Sequence, residues 1–323
     1  MIGIGAIGCY VPEGRIANRD RLEEFGVTER FIESKLGFRQ LARRAEGEET
    51  SDLCVKAVAA LRAEPAAAQS PDGIGAIECL FLCTQNPDGG GLPHTSAIVH
   101  EKLGLPAACA CLDISLGCSG FVHSLVVARA FMEANGMSNG LLLTADPYSK
   151  IVDHHDRNTA MIFGDGACAT WLTDIRPGQA LLAPVRARFH TEGHRHRALQ
   201  NRDGVLHMDG RAVFNFSATA VPVEIAGLLD QAGLDKDDID LYLLHQGSRY
   251  IVDTIRSRLK LDESRVPLAL ADCGNTVSSS IPMMLRAVVR DESVGRIVLS
   301  GFGVGLAVAT CLLERQALNG SLK

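Results

Sequence analysis

The chain repeats one pattern of secondary-structure signals and places a different reactive side chain at the same point of each copy. In the first copy a helical stretch ends at Glu101–Leu105, a short strand follows, and the next loop carries Cys118. In the second copy a helical stretch ends at Ser257–Leu261, a strand follows, and the next loop carries Asn275. Each copy then reaches a glycine-rich turn and a closing strand, at Gly164–Leu172 and Gly303–Leu312. A duplicated unit of this kind brings equivalent loops together around a pseudo-twofold axis, so we expect Cys118 and Asn275 to face one pocket.

Strands that alternate with helices predict parallel pairing through crossovers in both halves, residues 1–173 and 174–323. The stretch Gly120–Asn135 is apolar nearly all round, which is typical of a helix buried on every side. We therefore predict an α/β fold of five layers, αβαβα, in which central helices lie between two sheets.

The predicted elements are short apolar runs and amphipathic stretches. Strands are predicted at Ile2–Ile7, Ala76–Cys83, Ala110–Ile114, Gly140–Thr144, Ala167–Leu172, Asp240–Leu244, Leu268–Ala271 and Arg296–Ser300. Helices are predicted at Asp52–Arg62 (capped by Thr50 or Ser51), Thr95–Leu103, Gly120–Asn135, Ser217–Ala232, Ser248–Lys260 and Ile281–Val289. The polar segment Val185–Asp209 is predicted to be an excursion over the surface.

Composition narrows the class of protein. The net charge is -6, which gives no global basic field for nucleic acid. The N-terminus has neither the positive region nor the apolar run of a signal peptide, and no uninterrupted apolar run reaches the roughly 18 residues of a membrane span. The ten cysteines are irregularly spaced, which favours reduced thiols in a cytoplasmic protein.

Three side chains point to nucleophilic chemistry. Cys118 directly precedes an apolar helix, and unpaired N–H groups at a helix start lower the pKa of a thiol. His245 follows the apolar strand Leu241–Leu244, at the edge of the sheet where catalytic groups collect. Asn275 can donate to an anionic oxygen. The alternatives are a small buried hydrophobe for Cys118, a capping or core residue for His245 and a simple turn residue for Asn275.

Several other sequence patterns suggest a dinucleotide site, a metal site or a protease, but their context argues against each. Gly3-Ile-Gly5-Ala-Ile-Gly8 matches a dinucleotide-binding fingerprint, but no strand precedes it and Pro12 blocks the helix that should follow. The histidine groups at 154–155 and 190–196 lack the helical spacing of metal ligands, and Cys109 with Cys111 has no second pair to complete a zinc site. The order Cys, His, Asn also occurs in papain-like proteases, but the context Leu116-Gly-Cys-Ser-Gly-Phe121 differs from theirs.

Together these features resemble the β-ketoacyl-acyl carrier protein synthase III family of the thiolase superfamily, over essentially the whole chain. The motifs that carry the resemblance are Gly8-Cys-Tyr-Val-Pro12, Leu36-Gly-Phe-Arg39, Asp156-Arg-Asn-Thr159, Phe163-Gly-Asp-Gly166, His245-Gln246, Gly274-Asn-Thr276 and Gly301-Phe-Gly-Val-Gly305. The resemblance implies the thiolase-like five-layer fold. It also implies a cytoplasmic, homodimeric acyltransferase of fatty acid or secondary metabolite biosynthesis that needs no cofactor or metal. Its substrates would be acyl-coenzyme A, acyl carrier protein or both.

The resemblance further implies roles for the three reactive residues. Cys118 would be acylated by a thioester, and His245 with Asn275 would hold the thioester oxygen of a malonyl unit while carbon dioxide leaves. The backbone N–H groups of Cys118 and Val304 would hold the oxyanion of the tetrahedral intermediate. The expected reaction is a decarboxylative Claisen condensation that gives a β-ketoacyl product.

The chain departs from the family where substrate would bind. The implied substrate-binding residues are Phe31, Lys35, Leu92, Arg157, Gln246 and Arg249. Phe31 replaces the tryptophan that stacks on adenine, and Arg249 is displaced by one position from the arginine that contacts the carrier protein. Leu92, in a longer loop, stands where housekeeping members place a phenylalanine, which predicts a primer larger than acetyl.

Two other functions remain open for a chain of this kind. The first is an acyltransferase that moves the Cys118-bound acyl group to a non-malonyl acceptor. The second is a structural subunit of a heteromeric synthase. Retention of Cys118, His245 and Asn275 argues against both, because transfer to an amine or alcohol needs a base more than it needs two oxyanion donors.

Overall fold

The computed structural model of the chain describes residues 1–68 and 76–317. Its strands are β1 (Ile2–Tyr10), β2 (Gly14–Ala17), β3 (Gln40–Arg43), β4 (Cys79–Cys83), β5 (Ala110–Ile114), β6 (Asn139–Ala145), β7 (Ala167–Asp174), β8 (Ala180–Thr191), β9 (Leu199–Arg202), β10 (Val205–Met208), β11 (Leu241–Leu244), β12 (Arg296–Gly303) and β13 (Ala307–Ala317). Its α-helices are α1 (Leu22–Phe25), α2 (Glu29–Phe31), α3 (Thr50–Arg62), α4 (Pro65–Ala68), α5 (Thr95–Leu103), α6 (Gly120–Asn135), α7 (Arg157–Ala160), α8 (Gly210–Ala232), α9 (Arg249–Leu259) and α10 (Ser280–Arg286).

The order of the strands repeats, as the duplicated sequence predicts. Nine strands are connected in the order β11-β12-β13-β8-β1-β7-β6-β4-β5, and a single pairing of Ile4 with Leu182 joins β1 to β8. Counting only the strands of this sheet, each half presents, outward from that junction, its first, last, second-last and second strand: β1, β7, β6 and β4 in one half, and β8, β13, β12 and β11 in the other. The first half adds β5 at its edge. The inner crossover pairs β4–β6 and β11–β12 are parallel, whereas the closing strands β7 and β13 pair antiparallel with their neighbours.

The core shows five layers, which confirms the predicted αβαβα fold. Helix α6 contacts β4 and β6 of the first half and also β12 and β13 of the second half, so it lies between the two halves of the sheet. Helix α10 shares the same apolar cluster. Helices α3 and α5 cover the outer face of the first half, and α8 and α9 cover the outer face of the second.

Helix α8 is, within the described ranges, the one helix that is long and apolar enough to cross a membrane by length and composition. Half of its most apolar stretch is buried inside the protein, and the helix contacts α9, β8 and β13. These contacts are those of a core helix covering a sheet.

Several predicted elements are wrong. The segment Leu268–Ala271 forms no strand, because its backbone is hydrogen-bonded to other groups: the Ala271 carbonyl accepts from the N–H groups of Arg39 and Gln40. Residues 185–191 are part of strand β8 rather than a surface excursion. Gly193–Ala198 then forms a short 3-10 helix, and residues 199–208 form the β9–β10 hairpin. The cap of α3 is Glu49 rather than Thr50 or Ser51, since its side chain accepts from the third residue of the helix in a capping box.

Candidate active site

Cys118 lies in the loop between β5 and α6, directly before the helix cap Ser119, as predicted. Its side chain is buried, with 4% of its surface exposed. The close packing of this loop depends on its glycines. A Cβ atom on Gly117 would lie 2.4 Å from the Gln85 side chain, and one on Gly303 would lie 2.9 Å from the Cys118 sulfur. The loop therefore presses the thiol against the strand end at Gly303.

The charge state of Cys118 differs from the prediction. Burial raises the pKa of the thiol to about 12, although the backbone N–H groups of Val304 and of Cys118 itself act to lower it. The prediction of a lowered pKa is wrong, because the loss of water around the thiolate outweighs these two donors. The contact with the Val304 N–H nevertheless places that group at the sulfur, where the sequence predicts an oxyanion hole.

His245 follows β11 and is almost completely buried. Its Nδ1 lies 2.7 Å from the hydroxyl of Ser280, which leaves Nε2 facing the pocket. Burial lowers the pKa of this imidazole to about 3, so the ring is neutral at physiological pH. Since the folded pKa is below that of the unfolded chain, this group costs stability as the pH falls from about 6.5 towards 3.

Asn275 is held so that its amide nitrogen points to the same place. Its Oδ1 accepts from the Val277 N–H at 2.9 Å, which orients Nδ2 towards His245 Nε2 at 3.5 Å. The Asn275 backbone bonds to the turn that closes the first half, through the Ile162 carbonyl and the Gly164 N–H. The two copies thus touch here, as the pseudo-twofold axis predicts.

These groups meet in one cavity of about 830 Å³. Cys118, His245 and Asn275 are buried residues of its lining, whereas Lys35 and Arg157 belong to its exposed rim. The cavity is therefore a deep pocket with its reactive groups at the inner end.

The rim combines aromatic rings with cations. The Arg157 guanidinium lies 5.5 Å from the centre of the Phe31 ring, and Lys35 Nζ lies 3.4 Å from the centre of the Tyr250 ring. Tyr250 in turn stacks on Phe214, with ring centres 5.0 Å apart. Together with the exposed Arg211, these side chains form an aromatic entrance that carries three cations, and the exposed Asp209 adds one negative charge to it.

The structure brings half of the predicted substrate-binding residues to the cavity. Phe31, Lys35 and Arg157 line it. Leu92 is 89% exposed and is not part of the pocket of its own chain. Gln246 is buried outside the cavity and accepts from the Ala269 N–H, and Arg249 begins α9 beside a separate small groove.

The sequence interpretation missed one wall of the cavity. Leu199 and Met208 of the β9–β10 hairpin line this wall, as does Phe214 of α8. A signal was present, because Asp203-Gly204 between two short runs is typical of a two-residue hairpin turn. Both residues have the positive φ that such a turn requires, 53° and 86°.

Metal ligation has no support in residues 1–68 and 76–317, where no group of three or more His, Cys, Asp or Glu side chains could hold an ion. The histidines at 190 and 194 lie near carboxylates instead. His190 is 3.4 Å from Glu192, and His194 is 3.9 Å from the same residue.

Comparison with known proteins identifies the family. A model of 3-oxoacyl-[acyl-carrier-protein] synthase III matches residues 112–189, and a model of the C-terminal part of these enzymes matches residues 229–315. β-Ketoacyl-[acyl-carrier-protein] synthase III of Neisseria gonorrhoeae is 31% identical, over 96% of this chain and 98% of the relative. The enzyme of the same name from Geobacillus kaustophilus is 33% identical, over 94% of this chain and 96% of the relative.

Comparison with solved structures supports the same family assignment. The synthase III of Thermus thermophilus superposes with a TM-score of 0.87 at 30% identity, covering 98% of this chain and 100% of the other. OleA of Xanthomonas campestris reaches a TM-score of 0.85 at 16% identity, covering 97% of this chain and 98% of the other, which shows the shared fold alone. The protein is thus an enzyme of the acyltransferase, ketosynthase type, and the chain belongs to the 3-oxoacyl-[acyl-carrier-protein] synthase III family.

Proposed function

We propose that this enzyme catalyses a decarboxylative Claisen condensation between an acyl group bound to Cys118 and a malonyl thioester. The observation that carries the proposal is the convergence of His245 Nε2 and Asn275 Nδ2, 3.5 Å apart, in the cavity that also holds the Cys118 thiol. Two neutral donors aimed at one point suit a single oxygen atom that gains negative charge during the reaction.

In the first step the Cys118 sulfur attacks the carbonyl carbon of an acyl thioester. The oxyanion that forms is held by the backbone N–H groups of Cys118 and Val304, and the thiol proton leaves with the departing thiol. The product is an acyl-Cys118 thioester. Because burial keeps the pKa of Cys118 high, proton loss from the sulfur must accompany the attack rather than precede it.

In the second step a malonyl thioester occupies the cavity with its carbonyl oxygen at His245 and Asn275. When the Ser280 hydroxyl donates to His245 Nδ1, the ring proton resides on Nε2 and points at that oxygen. The C–C bond between the malonyl methylene carbon and its carboxylate breaks, and carbon dioxide leaves. The electron pair of that bond forms an enolate, which the two donors stabilise. The enolate carbon then attacks the acyl-Cys118 carbonyl, the C–S bond breaks, and the Cys118 thiolate that leaves takes up a proton from solvent.

The entrance supports a carrier that bears phosphate. Lys35, Arg157 and Arg211 place three cations around the opening, against a single carboxylate, that of the exposed Asp209. Coenzyme A and the phosphopantetheine arm of acyl carrier protein both combine a long thioester arm with phosphate groups. We propose these as the thioester carriers, and we propose a homodimer in which the loop of Leu92 meets the partner subunit.

The test separates the two steps. Intact-mass measurement reports acylation after incubation with acyl thioesters, and release of carbon dioxide from malonyl thioester reports decarboxylation. His245→Ala and Asn275→Ala should still accept the acyl group, while their decarboxylation rates fall by about 10²–10³, the usual effect of removing one oxyanion donor.

Two cysteine variants complete this test. Cys118→Ala should remain unacylated, whereas Cys311→Ala, which removes a buried thiol remote from the cavity, should be acylated like the wild type. Acyl label persisting in Cys118→Ala would refute the assigned nucleophile. Normal decarboxylation with blocked acylation in the His245 and Asn275 variants would reverse the assigned roles.

A further inference from the structure

We propose that Asp146 is a positioning residue for the decarboxylation step, because it anchors the turn that aims both Asn275 and His245. The inference rests on the proposed function and adds a residue that the sequence interpretation did not single out. Asp146 directly follows strand β6, its side chain is fully buried, and it is not among the residues that line the cavity. Because it does not line the cavity, we expect Asp146 to act on the decarboxylation step through the residues that it holds.

The Asp146 carboxylate connects the two halves of the protein. Its Oδ1 accepts from the Gln85 N–H at 2.7 Å, within the first half. Its Oδ2 accepts from the Ser278 hydroxyl at 2.5 Å, within the second half. Ser278 also donates its backbone N–H to this carboxylate. An ionised carboxylate accepts several such bonds without donating any, which an amide of the same shape cannot do.

Ser278 belongs to the turn Val277–Ser279, which has an unfavourable backbone conformation. Val277 has a φ of 54°, a left-handed conformation that is an outlier for a β-branched residue. Such a conformation persists only where its surroundings hold it in place. Asp146 supplies one restraint through Ser278, and Ser279 supplies another through its hydroxyl bond to the Thr144 carbonyl at 3.0 Å.

The same turn, with the next residue Ser280, orients both donors of the proposed oxyanion site. The Val277 N–H bonds to Asn275 Oδ1 at 2.9 Å and so fixes the direction of the Asn275 amide nitrogen. Ser280, two residues after Ser278, contacts His245 Nδ1 at 2.7 Å. Releasing Ser278 would thus free the two groups that orient Asn275 and His245.

Cys118 depends on different supports. It lies at the start of α6, and its sulfur is contacted by the backbone N–H of Val304. Hydrogen bonds link Asp146 to this side through Gln85, whose Oε1 accepts from the Tyr148 hydroxyl at 3.0 Å. The Asp146 charge also helps to raise the pKa of Cys118, so its removal would not hinder loss of the thiol proton. Loss of the Asp146 carboxylate should therefore impair decarboxylation far more than acylation of Cys118.

The experiment compares Asp146→Asn with Asp240→Asn. Asp240 is an exposed carboxylate that also accepts from two groups, the N–H groups of Gly295 and Arg296 at 2.8 Å, and it is not part of the cavity. In the full-length enzyme, acylation of Cys118 is followed by intact mass and decarboxylation of malonyl thioester by carbon dioxide release. In Asp146→Asn, decarboxylation should fall by about tenfold or more with acylation nearly unchanged, since small misplacements of catalytic groups cost this much. Asp240→Asn should change neither step.

A milder variant, Ser278→Ala, keeps the inference falsifiable if Asp146→Asn does not fold. It removes the hydroxyl contact alone and should give a smaller loss in the same step. Equal loss of both steps, or no loss in Ser278→Ala and Asp146→Asn, would overturn the inference while the proposed function stands. A wild-type enzyme that accepts acyl groups but releases no carbon dioxide from malonyl thioester would refute the proposed function, and the inference with it.

Discussion

The reactivity of Cys118 depends on two opposing effects at one atom. The start of α6 and the Val304 N–H favour a negative sulfur, whereas the almost complete burial of the side chain removes the water that a thiolate needs. Burial prevails and raises the pKa of the thiol to about 12. If Cys118 is the nucleophile, as proposed, this state protects it from electrophiles in solvent until a thioester is aligned with the N–H groups of the proposed oxyanion hole.

A prediction at the residue scale follows from this pKa. The rate at which iodoacetamide alkylates Cys118 should rise continuously with pH up to about 10, because the thiolate fraction grows tenfold per pH unit below the pKa. Peptide mass spectrometry of enzyme labelled at a series of pH values would measure this rate. A plateau with a midpoint below about pH 8 would show that the helix start prevails over burial, as the sequence alone suggested.

At the scale of single elements, strand β1 shows how a motif can mislead. Its three glycines match a phosphate-binding fingerprint, yet they lie within a strand, whose register with β7 shifts at Gly5. A Cβ atom would lie 2.5 Å from the Trp171 ring at Gly5 and 2.1 Å from the backbone nitrogen of Leu61 at Gly8. These glycines therefore let a tryptophan and helix α3 approach the sheet closely, which is a packing role.

Gly8→Ala tests this role. The new methyl group would overlap the backbone of α3, which cannot move aside like a flexible side chain, and we expect a loss of about 1–3 kcal/mol in the free energy of unfolding. Denaturant unfolding would measure the loss. Gly193→Ala is the matched control, because no atom lies within 4 Å of its Cβ position and its φ is not positive. Equal stability of both variants would contradict the packing role.

Element boundaries were predictable where local signals and tertiary contacts agree. Helices α5 and α6 and strand β5 have the predicted limits, since each has a clear apolar pattern and two of them end at a glycine with positive φ. The segment Leu268–Ala271 has the composition of a strand but bonds to the first half of the chain, a long-range contact that no local pattern reveals.

The reactive centre was predictable for a different reason. Duplication alone indicates that the loops of Cys118 and Asn275 meet, and the end of a buried strand indicates the position of His245. Their supports were not predictable, because the bonds from Ser278 to Asp146 and from Ser280 to His245 join residues far apart in the chain. The cavity wall formed by the β9–β10 hairpin was missed, although Asp203-Gly204 is a recognisable signal for a hairpin turn.

At the scale of the whole molecule, the exposed Leu92 bears on how two subunits would assemble. In the isolated chain it projects from a loop whose base is fixed by Asp88, which accepts from the Ser51 hydroxyl at 2.5 Å. An exposed apolar side chain on an anchored loop is available for contact with a second subunit. In the proposed homodimer it would help to set the depth of the partner's acyl pocket.

Leu92→Phe should then shift the preference of the enzyme from medium-chain towards acetyl donors. A change of this size in apolar volume is worth about 1–3 kcal/mol, so we expect a tens-fold shift in the ratio of kcat/KM values and little change in Tm. Val223→Phe, at an exposed aliphatic residue of α8, is the control and should leave the ratio unchanged. Equal kcat/KM for acetyl and medium-chain donors in the wild type would contradict the assignment of Leu92 to the acyl pocket. Light scattering would report the mass of the assembly and so test the proposed homodimer.

The duplicated strand order also has an evolutionary consequence. A symmetric ancestor built from two identical units would present two copies of the same loop to one cavity, so any mutation would alter both. In a single fused gene the loop of Cys118 and the loop of Asn275 mutate independently. One loop can then specialise in bond formation and the other in charge stabilisation. The asymmetry of the reaction, with one nucleophile and one anion site, is therefore open to selection in a fold that remains nearly symmetric.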